Sequence, residues 1–254
     1  MKPLRELDAA IRGVIFDVDD TVTRRGKLER VAFDAMWRMA DAGLDLVAIT
    51  GRPLGWSDLF ARMWPLRLAA GENGAGWSWV DDAGFHVATY DPSDTRARSM
   101  ALWNEIRVAM PQLRLSGDDA LRRAEVAIDV GEHERVPPAQ VAELVRRIQA
   151  AGARAPVSSV HCHIQFGDWN KARGAARAIE SVLGEFDAAQ WVFIGDSGND
   201  AEAFAAFEHS VGVANVRDHV AHIATLPHYV TDASHGAGFA ELADHLLART
   251  RAPG

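Results

Sequence analysis

A single cysteine and the lack of any long apolar run limit what this chain can be. Cys162 is the only cysteine, which excludes an internal disulfide and a cysteine-based zinc cluster. No apolar run approaches the roughly 18 residues of a membrane span. The charged segment from Met1 to Arg12 has no continuous apolar stretch of the kind found in a secretory signal. We therefore expect a soluble cytoplasmic protein.

The chain also lacks an excess of basic residues. Its 254 residues include 35 aspartates and glutamates against 27 lysines and arginines, a formal net charge of −8. This balance argues against nucleic acid or an anionic membrane as the main partner. The hydrophobic share of 48% is ordinary for a globular protein and excludes wholesale disorder. The length fits one large domain or two modest ones.

Short apolar runs alternate with amphipathic segments at both ends of the chain. The alternation predicts a parallel α/β sheet with right-handed crossovers. The predicted elements of the first part are strand 14–16, helix 29–42, strand 44–49 and a helix from Pro53 to about Met63. Those of the last part are helix 171–183, strand 191–195, helix 201–207, strand 210–213 and helix 238–248.

The middle of the chain has a different order of predicted strands and helices. It reads as strand 85–90, helix 93–110, strands near Leu113 and Val126, helix 137–151 and strand 157–166. Such an order indicates an antiparallel α+β module inserted into the parallel one. We place the module at 82–166, between turn-rich stretches, and the parallel unit at 1–81 and 167–254.

Carboxylates follow the apolar strands. Asp17 and Asp19 follow the first strand, Thr50 the second, and Asp196 and Asp200 the strand at 191–195. Because the carboxyl ends of parallel strands meet at one edge, these side chains are expected to share one pocket. Converging carboxylates repel one another and raise each other's pKa. A hard divalent cation relieves this repulsion, and oxygen-only ligands suit Mg²⁺.

Donors for phosphate oxygens lie in the same loops. The Thr50 hydroxyl and the backbone amides of Gly51 and Thr21 are such donors, and Lys171 at a helix start adds a positive charge. A carboxylate nucleophile, Mg²⁺, amides and a lysine together suit phosphoryl transfer.

Four ordered motifs now resemble those of the haloacid dehalogenase (HAD) superfamily. They are Asp17-x-Asp19-x-Thr21, Thr50-Gly51-Arg52, Lys171, and Gly195-Asp196-Ser197-Gly198-Asn199-Asp200. A turn cap or a helix N-cap would account for single aspartates, but not for all four motifs in order.

The spacing of the motifs resembles one branch of that superfamily. The interval from Asp17 to Thr50 is barely one helix crossover, whereas the interval from Thr50 to Lys171 accommodates the inserted module. This layout is similar to the branch with a large cap between its second and third motifs. It includes Cof-type sugar phosphatases, sucrose-phosphate and trehalose-phosphate phosphatases, mannosyl-3-phosphoglycerate phosphatase and phosphomannomutase. Gly71-Glu72-Asn73-Gly74-Ala75 resembles a stretch of its sugar-phosphatase members. The resemblance implies a Rossmann-like core at 1–81 and 167–254 and an α+β cap at 82–166 that decides substrate specificity.

The resemblance also implies roles for residues. Asp17 would attack phosphorus, and Asp19 would act as general acid and base. The implied metal ligands are Asp17, the Asp19 carbonyl, Asp196 and Asp200, and the implied phosphate-binding residues are Thr21, Thr50, Gly51, Lys171 and Asn199. The candidates for substrate contact are Arg52, Asn73, His161 and His163.

Simpler interpretations exist for several of these candidates. Arg52 is interpreted more readily as a surface or structural ion pair, because nothing in the sequence fixes it on a substrate. His161 and His163 flank Cys162 on one strand. They are interpreted as a solvated or substrate-facing cap surface, with zinc binding as the weaker alternative.

The sequence therefore predicts a Mg²⁺-dependent phosphatase of a small phosphorylated metabolite, with sugar phosphates or polyol and glycerate esters favoured. The alternatives are a phosphomannomutase-like phosphotransferase and a non-catalytic phospho-accepting module. Neither nucleic acid nor a membrane is an expected partner, and we expect a monomer or a homodimer.

Overall fold

The computed structural model describes residues 1–91, 94–158 and 160–250. Its strands are β1 (Lys2–Pro3), β2 (Gly13–Phe16), β3 (Thr23–Arg24), β4 (Lys27–Leu28), β5 (Asp45–Ile49), β6 (Leu68–Gly71), β7 (Gly76–Asp81), β8 (Gly84–Thr89), β9 (Val126–Asp129), β10 (His161–Ile164), β11 (Trp191–Gly195), β12 (His209–Gly212) and β13 (Tyr229–Val230). Its α-helices are α1 (Arg30–Asp41), α2 (Leu54–Met63), α3 (Thr95–Ala109), α4 (Pro138–Ala150), α5 (Lys171–Leu183), α6 (Ala201–Ala206) and α7 (His235–Thr250).

Nine of the described strands form one sheet in the order β1-β13-β12-β11-β2-β5-β6-β7-β8. The pairs from β1 to β6 are parallel, and only β6–β7 and β7–β8 are antiparallel. The central strands β2, β6 and β11 are buried along their whole length, which explains their nearly continuous apolar sequences. The predicted α/β class is thus confirmed.

Helices cover both faces of this sheet. Residues of α1, α2 and α7 pack on one face, with Met36, Phe60 and Phe239 among them. Residues of α5 and α6, such as Ile179 and Phe204, pack on the other face. The sheet therefore lies between two apolar layers. Its carboxyl edge is covered by loops.

The strand predicted at 85–90 belongs to the large sheet and not to the inserted module. It pairs with β7 along its whole length, from Gly76 opposite Thr89 to Asp81 opposite Gly84. The turn between them, predicted as a domain edge, is a hairpin turn followed at once by Gly84, the first residue of β8, which has a φ of 121°. The prediction was wrong because a tight turn marks a chain reversal as well as a boundary.

The inserted segment has its own small core. The antiparallel strands β9 and β10 pack against α3 and α4 through Trp103, Ile106, Leu144, Ile148 and Cys162. The strand predicted near Leu113 is replaced by a turn, with one bridge from Leu115 to Ile128. The start predicted for α3, residue 93, lies outside the described residues.

The division into core and cap stays a proposal, with its first boundary moved to about residue 91. Across the described residues, no helix combines the length and the apolar character that a membrane crossing needs.

Candidate active site

Loops at the carboxyl edge of the large sheet gather the predicted polar residues. The Asp17 amide donates to the Ile194 carbonyl at 2.9 Å, which extends the β2–β11 pairing into the first loop. A small cavity at this edge is lined by the core residues Asp17, Asp19, Gly51, Ser197 and Asn199 and, from the inserted segment, by Ser158, Val160 and His161. The loops and the inserted segment together enclose it.

Lys171 is the first residue of α5 and is fully buried. Its ammonium donates to Asp17 Oδ1 at 2.6 Å and to Asp200 Oδ1 at 2.7 Å. Burial by itself lowers the pKa of a lysine, but Asp17 and Asp200 raise the pKa of Lys171 above its ordinary value. The lysine is therefore charged where it contacts Asp17, which lines the cavity.

One side-chain cap and one close backbone contact position Lys171. The Asn170 side chain accepts from the Arg173 amide at 2.8 Å and so caps α5. Gly174, one turn along the helix, lies against Gly74, and a Cβ at Gly174 would be 2.5 Å from Gly74 Cα. Because both sides of this contact are backbone, a larger residue would displace the helix that carries Lys171.

Three buried aspartates surround the lysine. One carboxylate oxygen from each of Asp17, Asp196 and Asp200 lies within 4.8 Å of the others. Burial raises the pKa of Asp17 to about 8, with Lys171 opposing and Asp200 adding to the effect. Burial, followed by the charges of Asp17 and Asp200, raises the pKa of Asp196 well above its ordinary value. One ammonium against three carboxylates leaves an excess of negative charge, which a divalent cation would offset.

The aspartate oxygens differ in their protein partners. Asp200 Oδ2 accepts from the amides of Asp196 and Ser197, both at 3.0 Å. Asp196 has weaker contacts, from the Thr21 hydroxyl at 3.4 Å and the Asn215 amide nitrogen at 3.3 Å. Asp196 is thus better placed to offer an oxygen to a cation, while Asp200 orders the loop and Lys171.

Two of the predicted phosphate-binding residues, Gly51 and Asn199, line this cavity. Thr50 is buried, and its hydroxyl oxygen accepts from the Arg52 amide at 3.0 Å. The Asn199 side chain bridges Ser197 Oγ at 2.9 Å and Asn73 Oδ1 at 3.2 Å. These hydrogen bonds fix the Asn199 side chain beside Ser197 at the cavity.

The four candidates for substrate contact divide into two pairs. His161 lines the cavity, and Arg52 donates two hydrogen bonds of 2.8 and 2.9 Å to Asp19, which also lines it. Asn73 and His163 lie instead beside Glu125. His163 is fully buried and its Nδ1 contacts Glu125 at 2.6 Å, while Asn73 Nδ2 lies 3.4 Å from the same carboxylate.

The two histidines are not a solvated surface, contrary to one interpretation of the sequence. His161 and His163 are 1% and 0% exposed. Among the described residues, the metal-type cluster found is the aspartate group, and neither histidine belongs to it. Cys162 and Ile164, which alternate with the two histidines on β10, face the core of the inserted segment.

Sequence reasoning missed a buried polar group between the inserted segment and the sheet. Arg122 donates to the Gly51 carbonyl and to Glu125, both at 2.9 Å. Burial opposes ionisation of Glu125, but His163 and Arg122 outweigh it and lower the pKa of Glu125. Nothing local in the sequence marks these residues. The stretch containing Glu72 was identified by resemblance alone.

The parallel sheet is covered by helices on both faces and carries an acidic cluster and a buried lysine at its carboxyl edge, which is the arrangement that the resemblance to the haloacid dehalogenase superfamily implies. Residues 140–242 match the family described as haloacid dehalogenase-like hydrolase.

Similar proteins extend the match over nearly the whole chain. The phosphoglycolate phosphatase of Methanosarcina mazei is 26% identical over 237 residues, which cover 92% of this chain and 96% of that protein. A crystal structure of a Thermoplasma acidophilum protein has a TM-score of 0.75 at 18% identity, covering 93% of this chain and 98% of that one. The sucrose-phosphatase of Synechocystis sp. PCC6803 has a TM-score of 0.64 at 16% identity, covering 94% and 98%. At these identities the two structures establish the fold.

Proposed function

We propose that this protein is a cytoplasmic, Mg²⁺-dependent phosphatase that hydrolyses a small phosphorylated metabolite through an aspartyl-phosphate on Asp17. The observation that carries the proposal is the 2.6 Å contact between the Asp17 carboxylate and the buried Lys171 ammonium. A lysine there damps repulsion between an incoming phosphate and the nucleophile. The phosphatases among its relatives support the same activity.

The donor set suits Mg²⁺. Asp17 and Asp196 would hold the ion with the Asp19 backbone carbonyl, and Asp200 would act through Lys171 and the loop amides it accepts from. A bound Mg²⁺ supplies positive charge for the phosphoryl oxygens. The excess negative charge of the buried cluster is what makes this set fit a divalent cation.

The chain's own groups perform the two displacements. Asp17 forms a bond to phosphorus while the bond to the leaving oxygen breaks, and Asp19 gives that oxygen a proton. Thr50, Lys171 and the amide of Gly51 bind the phosphoryl oxygens. Asp19 then takes a proton from water, whose oxygen displaces Asp17 from phosphorus. Inorganic phosphate leaves and the Asp17 carboxylate is regenerated.

The substrate we favour is a sugar phosphate or a polyol or glycerate ester. The Methanosarcina mazei relative adds phosphoglycolate to this group of small esters. In a capped site, contacts from the inserted segment select the leaving group and exclude water.

Metal removal tests the proposal. A panel of sugar, polyol, glycerate and nucleotide phosphates and phosphoglycolate is incubated with the protein, and free phosphate is measured. We expect release with Mg²⁺, a fall of at least about 10²-fold after chelation, and recovery on adding excess Mg²⁺. Release that chelation leaves unchanged contradicts the mechanism. Conversion of a sugar phosphate to its isomer without free phosphate would instead indicate the phosphomannomutase-like alternative.

A further inference from the structure

A chain of polar contacts joins Asp19 at the cavity floor to the inserted segment above it. Arg52 Nε and Nη2 donate to the two oxygens of Asp19 at 2.8 and 2.9 Å. Its third nitrogen, Nη1, donates to Glu132 Oε1 at 2.8 Å. The guanidinium lies 4.9 Å from the centre of the Trp56 ring. Arg52 is therefore held on three sides, with Asp19 and Glu132 as its two strong anionic partners.

Glu132 is itself fixed in the loop after β9. Its amide donates to Asp129 Oδ1 at 2.9 Å, and its Oε2 contacts His161 Nε2 at 2.9 Å. The hydrogen bond from His161 is the largest cause that lowers the pKa of Glu132, to about 2, and Arg52 adds to it although burial opposes it. An ionised carboxylate only accepts hydrogen bonds, so His161 Nε2 carries the hydrogen.

Both ends of this chain line the cavity. Asp19 lies on the core side and His161 on the side of the inserted segment. The two parallel hydrogen bonds from Arg52 define the plane of the Asp19 carboxylate, because a guanidinium matches a carboxylate only in a fixed geometry. Proton transfer to a leaving group depends on such alignment.

We propose that Glu132 is a positioning residue: it holds Arg52 so that the guanidinium aligns Asp19 for proton delivery to the leaving alcohol. The cap thereby contributes to the chemical step as well as to enclosure. This inference rests on the proposed phosphatase function.

A purely structural role for Glu132 is less consistent with its surroundings. Its side chain is 23% exposed and lies outside the apolar core of the inserted segment. Asp118 is a weaker alternative partner, 3.5 Å from the same Arg52 nitrogen. The Glu132→Gln variant keeps the side-chain shape and is expected to fold, while it weakens the anionic hold on Arg52.

The leaving group of the substrate tests the proposal. An alkyl phosphate such as glycerol phosphate needs a proton on its departing oxygen, whereas p-nitrophenyl phosphate releases a stable phenolate. We expect Glu132→Gln to lower kcat/KM for the alkyl ester by about 10- to 100-fold, because kcat/KM covers the steps up to departure of the leaving group. For p-nitrophenyl phosphate we expect kcat/KM to change by less than about 3-fold. Asp19→Asn should show the same contrast between the esters in kcat/KM, while the later activation of water by Asp19 affects kcat for both.

A matched control is Glu143→Gln, which removes a carboxylate paired with Arg146 and Arg147 on α4. It should keep wild-type kinetics with both esters. Equal losses of kcat/KM for the two esters in Glu132→Gln, or no loss for either, overturn the positioning role. If the wild-type protein releases phosphate from no member of the metabolite panel in the presence of Mg²⁺, the proposed function fails and this inference fails with it. If another alkyl ester of the panel is the substrate, that ester replaces glycerol phosphate in the comparison.

Discussion

Replacing Asp17 by asparagine is expected to abolish phosphate release and to leave the protein folded. An asparagine amide does not attack phosphorus, so no acyl-phosphate forms and kcat falls by at least about 10³-fold. Asparagine keeps an oxygen that can accept from Lys171, which now donates to Asp17 at 2.6 Å. The substitution also removes one of three clustered buried charges, so Tm of the metal-free protein should stay level or rise. Phosphate release and thermal unfolding followed by circular dichroism measure both effects.

The matched control is Asp20→Asn in the same loop. Asp20 has a φ of 55°, a left-handed conformation that asparagine tolerates well. Its carbonyl accepts from Asn215, and this backbone contact survives the substitution. We expect Asp20→Asn to retain most of the activity. If purified Asp17→Asn releases phosphate at more than about a hundredth of the wild-type rate, Asp17 is not the nucleophile.

The sheet could be predicted from local pattern because its central strands are short, apolar and followed at once by polar loops. β2 and β11 are buried along their whole length, and Asp17 and Asp196 come directly after them. The loops that follow parallel strands meet at the carboxyl edge of the sheet, so their proximity could be predicted without any knowledge of side-chain contacts. The position of Lys171 at the start of a helix could also be predicted from local pattern, because the helical periodicity begins at this residue.

Contacts between distant parts of the chain could not be predicted. Arg52 is a buried ion pair, as the simpler interpretation held, but Glu132 was not identified as one of its partners. The side chains of His163 and Glu125 are both fully buried, although histidine and glutamate in an α+β module more often face solvent. Local periodicity indicates which face of a helix or strand is apolar. It does not indicate which polar group from a distant part of the chain lies against that element.

The Glu72 carboxylate is a further contact between distant parts of the chain, and four backbone amides donate to it. Its Oε1 accepts from the amides of Leu54 and Arg123 at 3.2 and 2.7 Å, and its Oε2 from those of Ala124 and Glu125 at 2.7 and 2.9 Å. Burial, then the charge of Glu125, raises the pKa of Glu72, and Arg122 and the amide donors oppose this shift. Glu72 also has a φ of 50°, which costs an L-residue about 1–2 kcal/mol. Through these hydrogen bonds the Glu72 side chain joins the start of α2 and the inserted segment to the end of β6.

Replacing Glu72 by glutamine is therefore expected to destabilise the protein by about 3 kcal/mol. The new NH₂ group faces two backbone amides that are themselves donors, so those amides lose their acceptor inside the protein. Urea unfolding of the two proteins measures the difference in the free energy of unfolding. The surface variant Glu105→Gln on α3 makes the same chemical change on an exposed side chain and should shift that free energy by less than about 0.5 kcal/mol. If the free energy of unfolding of Glu72→Gln lies within about 1 kcal/mol of the wild-type value, other groups accept hydrogen bonds from these amides. Glu72 is then not the main contact between the inserted segment and the sheet.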